Sequence, residues 1–452
     1  MKTLFPVFLL ASVMLPFYGI AQQMWTLKDC MMYSIENHPD IKIRDINNEN
    51  TQMTLRNSKL ARIPTLSAST SVSASYGRTI DSETNAYTTQ SSMSNSYSAS
   101  LGSISIFNGF SIANDIKYNK ISLLQGTETK QQLIDQMARS IISAYFNVIY
   151  SIEMVRIAEG QLESERRNLN SARVSAELGL KGSSDLLQIE ASVAESESRL
   201  MSNINMLNNR ILTLKDLMYY PLEEELLLDT SQQWENISPI IQDEPASEIF
   251  EKAVNYLPSV LISKMNVDQA KLNLKTAKWQ LLPSISLGLP SVSTGYSRSL
   301  SESNSGRQSF TEQFRNRVGG SIGSLSMSIP IFNRLSRQTT VARGKNSLKI
   351  YEYQYDMRLR SLEKEIQAAI QDLEGAKREY ELAVKQLSVR EAAHNANQRR
   401  YDEGLLSIMD LQNSSNSLLS AQASKLNAQF TYLLKQRDME YYTGTPYLEQ
   451  EF

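Results

Sequence analysis

The sequence predicts a mixed, mainly α protein built from two copies of one unit, each with a β-hairpin and a long helical hairpin. Three observations carry that prediction. Landmark residues recur at a near-constant offset, four segments alternate apolar and polar residues, and two stretches of about 70 residues contain no proline.

The repeat comes first. Asn37-His38-Pro39-Asp40-Ile41 is answered by Asn255-Tyr256-Leu257-Pro258-Ser259-Val260. Pro39 and Pro258 are 219 residues apart (258 − 39), as are Pro64 and Pro283 (283 − 64). Ser105-Ile106-Phe107-Asn108 recurs as Pro330-Ile331-Phe332-Asn333, and Gly179 with Asp185 recurs as Gly404 with Asp410, both shifted by 225 (330 − 105 and 404 − 179). Four landmarks in one order define a unit of roughly 220 residues.

The chain opens on an address. Lys2 supplies a charge, Phe5 to Phe17 is mostly apolar, and Gly19-Ile20-Ala21 offers a small-x-small cleavage site before Gln22. The other reading, a membrane anchor, fits less well, because the run is short and holds Pro6 and Pro16. Residues 1–21 are therefore expected to be a signal peptide, with 22–38 a segment at the belt of the molecule. A helix is expected over 39–63 and again over 258–282. Pro39 and Pro258 suit a first helical turn, and Pro64 and Pro283 mark its end.

Strands follow each helix. In Thr65 to Tyr76, Leu66, Ala68, Thr70, Val72, Ala74 and Tyr76 face one way and five serines face the other. Tyr97 to Phe107, Ser284 to Tyr296 and Val318 to Phe332 repeat the pattern, with slips near Gly102-Ser103, Pro290 and Gly323. These place β-hairpins in 64–108 and 283–333. The length and the apolar-out, polar-in alternation match membrane strands. A Ser-rich linker would not alternate, and a soluble sheet would carry charge on its wet face. Four strands cannot close a barrel, and an open edge in lipid leaves backbone groups unsatisfied, so several chains must share one barrel. The polar stretches Thr79 to Ser96 and Arg298 to Arg315 are expected to be outer loops.

Long helical hairpins are expected over 109–221 and 334–442, with turns near 179–185 and 404–410. Ile366, Ile370, Leu373, Lys377, Tyr380, Val384 and Leu387 form a heptad seam broken only by Lys377. Leu133, Met137, Ile141, Tyr145, Val148, Ile152 and Val155 form another. The second helices end near Tyr219-Tyr220-Pro221 and Tyr441-Tyr442. Residues 222–257 form a second belt segment and 443–452 a C-terminal tail. A plain coiled-coil rod would explain the helices alone.

Composition narrows the function. The 452 residues are 41% hydrophobic and 21% charged, less apolar than a multi-span helical membrane protein. Lys and Arg total 46 against 48 Asp and Glu, which argues against nucleic-acid binding. Two histidines, His38 and His394, and one cysteine, Cys30, make no metal cluster or nucleophilic dyad, so no enzyme and no cofactor is expected. Solvated or capping roles are expected of the histidines, and a partly buried free thiol of Cys30.

Together these features resemble the TolC family of outer-membrane efflux proteins. The resemblance rests on the duplicated Pro-bounded helices, the Ile106-Phe107-Asn108-Gly109 strand exit and the Tyr219-Tyr220-Pro221 ending. It rests also on the turns Gly179-Leu180-Lys181-Gly182-Ser183-Ser184-Asp185-Leu186-Leu187 and Tyr401-Asp402-Glu403-Gly404-Leu405-Leu406-Ser407-Ile408-Met409-Asp410-Leu411. It implies a homotrimer in the outer membrane of a Gram-negative bacterium, with a twelve-stranded barrel, four strands per protomer, continuous with a helical periplasmic tunnel. It implies a passive exit duct of a tripartite efflux or type I secretion system, working with a periplasmic adaptor and an inner-membrane transporter. The barrel would be set in outer-membrane lipid.

The same resemblance implies a gate at the turns, with Tyr401 bonded to Asp185. Leu406 stands where relatives can have an arginine. Asp410 and Asn413 stand where relatives have two acidic residues, leaving one acidic ring. Asp185 and Asp410 also suit helix N-termini, where the dipole favours acids. Gly179, Leu180, Ser184, Gly404, Leu405, Leu406 and Ser407 would form the tip that docks the adaptor. The alternative is a secreted coiled-coil scaffold or adhesin with a Ser-rich β region.

Overall fold

The computed structural model describes residues 24–80, 85, 87–178, 182–229, 244–299 and 308–450. The expected signal peptide, and Gly179, Leu180 and Lys181 of the first turn, lie outside the described residues.

The first copy runs α1 (Leu27–Asn37), α2 (Pro39–Leu60), β1 (Leu66–Ile80), β2 (Tyr87–Leu101), β3 (Ile104–Phe107), α3 (Ser111–Glu177) and α4 (Ser183–Met218). The second runs α5 (Ala246–Tyr256), α6 (Pro258–Trp279), β4 (Ser284–Gly288), β5 (Ser291–Ser299), α7 (Phe310–Asn316), β6 (Gly319–Ser321), β7 (Ser324–Ser328), α8 (Ser336–Asp402) and α9 (Ile408–Thr443). The duplication holds element by element. Helices α3 and α8 each have 67 residues, and α4 and α9 each have 36.

The helix starts follow their sequences. Pro39 and Pro258 open α2 and α6 at the first turn. His38 caps α2, its Nδ1 accepting from the Asp40 amide at 3.2 Å. Both long helices begin after two consecutive left-handed residues, Gly109-Phe110 and Arg334-Leu335. That pair turns the chain from strand into helix. Gly109, at φ 62°, lies so close to the Trp279 carbonyl that a Cβ would come within 2.4 Å of its oxygen.

Strands and helices share one lateral order. The sheets run β1-β2-β5-β6 and β3-β4-β7, antiparallel throughout. Helix α2 packs on α3, α3 on α6 and α6 on α8. Each strand path thus continues into a helix with the same neighbours. The strand breaks fall at Gly102-Ser103, Leu289-Pro290 and Ile322-Gly323, the three slips expected. The Leu101 amide donates to the Pro290 carbonyl across that level at 3.1 Å.

Midway along the helices, α1 and α5 form a belt with a parallel bridge between Trp25 and Leu228. The larger core lies here. Tyr145 is fully buried, with Cys30, Met31, Ile142, Val148, Leu214 and Met218 around it, and Phe146 stacks on Phe430. One stretch of α3 is long and apolar enough to pass for a membrane span by composition, and half of it is buried. Cys30 is wholly rather than partly buried, and burial pushes its thiol up to about 12.

Several expectations need correction. The first outer loop is shorter than expected, because β1 continues to Ile80 and β2 starts at Tyr87. Tyr87 to Ser96 is polar apart from Tyr87 and Met93, too few to show an alternation, yet it pairs residue by residue with β1. The second loop contains the end of β5 and the helix α7, started by a Ser309–Glu312 capping box. The seam of α8 passes through buried Ala376 and Ala383, not through Lys377 and Val384, because small residues let the helices approach closely. The C-terminal tail folds back and buries Tyr447.

Candidate functional site

The sheet has two chemically distinct faces. On one, serine hydroxyls pair across β1 and β2 in five successive rungs. Their Oγ–Oγ distances are 3.1 Å for Ser67–Ser100, 2.7 Å for Ser69–Ser98, Ser71–Ser96 and Ser73–Ser94, and 2.9 Å for Ser75–Ser92. The register carries the rows onward: Ser100 faces Ser291, Ser98 faces Ser293, Ser96 faces Gly295 and Ser94 faces Ser297. Ser291 then pairs with Ser321 at 3.0 Å. Ser105, Ser286 and Ser326 form a row in the lower sheet.

The opposite face carries Leu66, Ala68, Val72, Ala74 and Tyr76 of β1 beside Leu101, Ala99, Tyr97 and Met93 of β2. Leu66, Val72 and Tyr76 are 76%, 62% and 85% exposed. In the lower sheet Leu325 and Met327 are exposed too, as is Ile331 just beyond β7. A soluble protein does not leave so continuous an apolar face in water. The strand β1 with α2, and β6 and β7 with α8, stand at the two lateral ends of this order.

The helix ends far from the sheet form the second region. Asp185 and Asp410 each occupy the third position of their helix, and both are exposed. Asp410 completes a cap: Ser407 Oγ accepts from its amide at 3.2 Å and donates to its Oδ2 at 2.7 Å. Gly182 takes the equivalent place before α4 and brings no side chain. Asn413 is exposed one turn after Asp410.

Tyr401 behaves differently from Asp185. It is only 7% exposed and packs with Ala172, Ile189, Ile408 and Leu411, flanked by Leu169, Leu186 and Leu406. That cluster ties the ends of α3, α4, α8 and α9 together. No hydrogen bond joins Tyr401 to Asp185 among the described residues. Leu405 is 66% exposed at the turn, beside Gly404 at φ 74°; Ser184 and Ser407 are exposed and Leu406 is half-buried. The sequence reading missed Ala172, Ile189 and Leu411. The recurrent Asp-Leu pair, Asp185-Leu186 and Asp410-Leu411, was the available signal: the acid faces water and the leucine faces inward.

His394 sits half-buried in α8 with its Nδ1 enclosed, and burial lowers its pKa. A solvated role does not describe it.

The sequence model of the family described as outer membrane efflux protein matches residues 33–218 and 251–445. The outer membrane protein TolC of Escherichia coli (strain K12) is 22% identical over 306 residues, covering 67% of this chain and 60% of that protein. TolC of Salmonella enteritidis is 20% identical over 307 residues. This chain thus spans 60% of the length of either relative. Among solved structures, a membrane protein from Pseudomonas aeruginosa superposes with a TM-score of 0.73 at 14% identity, covering 94% of this chain and 91% of that one. The outer membrane protein VceC from Vibrio cholerae gives 0.71 at 14% identity, covering 92% and 96%. These likenesses establish a common fold.

Proposed function

This chain belongs to the outer membrane efflux protein family, and from that premise we propose that it is the passive exit duct of a tripartite export system. The observation that carries the proposal is the shared lateral order of strands and helices, ending in the same open edges. Three such sheets, joined edge to edge, make a twelve-stranded barrel whose strands run on into a tunnel of helices. Closure satisfies the edge backbone groups that lipid cannot.

The dimensions support this reading. Leu66 to Tyr76 spans ten residue steps, about 25 Å high at about 3.3 Å per residue and a tilt of about 40°. That matches the apolar band of an outer-membrane barrel. The apolar face then meets lipid and the serine face lines water. Each 67-residue helix reaches about 100 Å at about 1.5 Å per residue, enough to cross much of the periplasm.

The duct performs no reaction. Cargo is delivered by an inner-membrane transporter through a periplasmic adaptor, which docks on the turn around Gly404, Leu405 and Ser407 and on the other turn around Gly179, Leu180 and Ser184. Tyr401 closes the tip by packing, with Asp185 and Asp410 as surface carboxylates. Three copies of Asp410 with Asn413 form a ring that favours cations.

Planar-bilayer recording of the purified protein tests the proposal. Discrete, cation-preferring channel steps are expected, and Asp410→Asn should weaken that preference. A protein that inserts but never conducts would contradict the duct.

A further inference from the structure

The serine face is short of charge. On β1 and β2 the described side chains of this face from Ser67 to Gly77 and from Ser92 to Ser100 are serine or glycine, as are Ser291, Ser293, Gly295 and Ser297 on β5. Arg78 and Arg298 belong to the apolar face: Arg298 faces Met93, which faces Ala74. One guanidinium nonetheless reaches the serine face. Arg317 Nη1 donates to Ser297 Oγ at 3.0 Å.

The helix α7 delivers it. Beyond Ser293, β5 is no longer paired with β6, and α7 takes the place of the fourth strand. The Ser297 amide donates to Oε1 of Gln313, which is 2% exposed, at 3.1 Å. Thr294 Oγ1 donates to the Phe314 carbonyl. Phe310 lies against Tyr296, and Phe314 against Tyr97, on the apolar face. The helix therefore straddles the edge of β5, with aromatic rings on one side and Arg317 on the other. Ser297 lies near the end of β5 remote from the helices, on the rung of Ser94 and Ser73, so this charge stands in the outer half of the Leu66–Tyr76 band.

We propose that Arg317 is a specificity-determining residue that favours small anions in the outer half of the barrel, opposite in sign to Asp410 at the far end of the helices. The inference rests on the reading that the serine face lines the duct. Between Arg317 and the start of the helices the strand wall is hydroxyl-lined and neutral. Its serines satisfy one another in pairs, so it offers passing ions no charge and few unmet donors.

Reversal potentials of full-length protein in planar bilayers under a KCl gradient test this. Arg317→Gln should shift the potential toward that of potassium, whereas Arg317→Lys, which keeps the charge but not the fork, should hold the wild-type value. The shift should shrink between 0.1 M and 1 M salt, as the screening length falls from about 10 Å to about 3 Å. Ser73→Glu adds a carboxylate to the same face and should shift the potential the same way, which keeps the test alive if Arg317→Gln does not assemble. Wild-type potentials in Arg317→Gln, equal shifts in the Lys and Gln variants, or no shift in Ser73→Glu would overturn the proposal. Absence of channels from the wild type would instead defeat the duct reading itself.

Discussion

Arg139 of α3 and Asp438 of α9 meet in a two-pronged ion pair, Nε to Oδ1 at 2.7 Å and Nη2 to Oδ2 at 2.8 Å. The pair ties the first copy of the unit to the second, beside a polar cavity of about 250 Å³ that also admits Arg358, Glu365 and Tyr442. Asp438 is 7% exposed and accepts a further bond from the Tyr447 hydroxyl at 2.9 Å. Asp438→Ala leaves both donors without their acceptor. The cost should be about 2 kcal/mol, below the ~3–5 kcal/mol of a fully buried pair, because the Arg139 side chain is half exposed. Thermal unfolding in detergent measures it, and an unchanged midpoint would remove this pair from the hold between the halves.

Asp135 lines the same cavity and makes stability depend on pH. Burial raises its pKa, while hydrogen bonds from Tyr441 and Gln131 pull it down by less. The native state therefore binds this proton more tightly than the unfolded chain does. Its contribution is fully present at low pH and is lost as pH rises from the ordinary 3.8 through the raised native value. Asp135→Asn still offers Tyr441 an acceptor without the charge. It should raise stability at neutral pH and flatten the decline across that window. Denaturation at pH 4 and pH 7 reads both effects, and equal losses at both pH values would contradict the sign.

Alternation on β1 can be tested at adjacent residues. Val72 lies on the apolar face opposite Asn95, and Ser71 pairs with Ser96. Val72→Arg should cost about 2–4 kcal/mol at the lipid face and cut the yield of assembled protein. Ser71→Arg should assemble normally. Equal yields would mean the two faces are not lipid and water.

At the tip, packing and docking separate by residue. Tyr401→Ala opens the buried cluster and should raise resting conductance, while Tyr401→Phe, which keeps the ring in that cluster, should raise it less. Leu405→Asp changes only exposed surface and should abolish export with assembled protein still in the membrane. Normal export by Leu405→Asp would take this turn out of docking. Equal conductance in Tyr401→Phe and Tyr401→Ala would place the hold in the hydroxyl rather than in the packing.

How much of this was legible depended on the kind of signal. The prolines 39, 64, 258 and 283 framed α2 and α6, because proline acts on the backbone wherever it falls. Serine at every second position of β1 announced both faces but not the register, since a slip of two residues pairs serine with serine again. Helix α7 went unread inside a stretch expected to be a loop. Phe310 and Phe314 are four residues apart, a spacing that puts them on one face of either a helix or a strand, and the Ser309–Glu312 capping box was the one signal for a helix. The α8 seam was misjudged by one residue because Ala376 and Ala383 bury little area and look unremarkable beside Val384. The cluster around Tyr401 draws on four helix ends, a tertiary relation that no local pattern encodes.

The central claim is that one chain holds a third of a barrel. Its most direct test is the mass of the full protein extracted from outer membranes in mild detergent, by native mass spectrometry or light scattering corrected for detergent. Three chains per particle are predicted, near three times the 51.1 kDa of the full chain, or three times a chain without residues 1–21 where the expected cleavage before Gln22 occurs. A stable monomer with β1 and β6 still unpaired would contradict both the barrel and the tunnel.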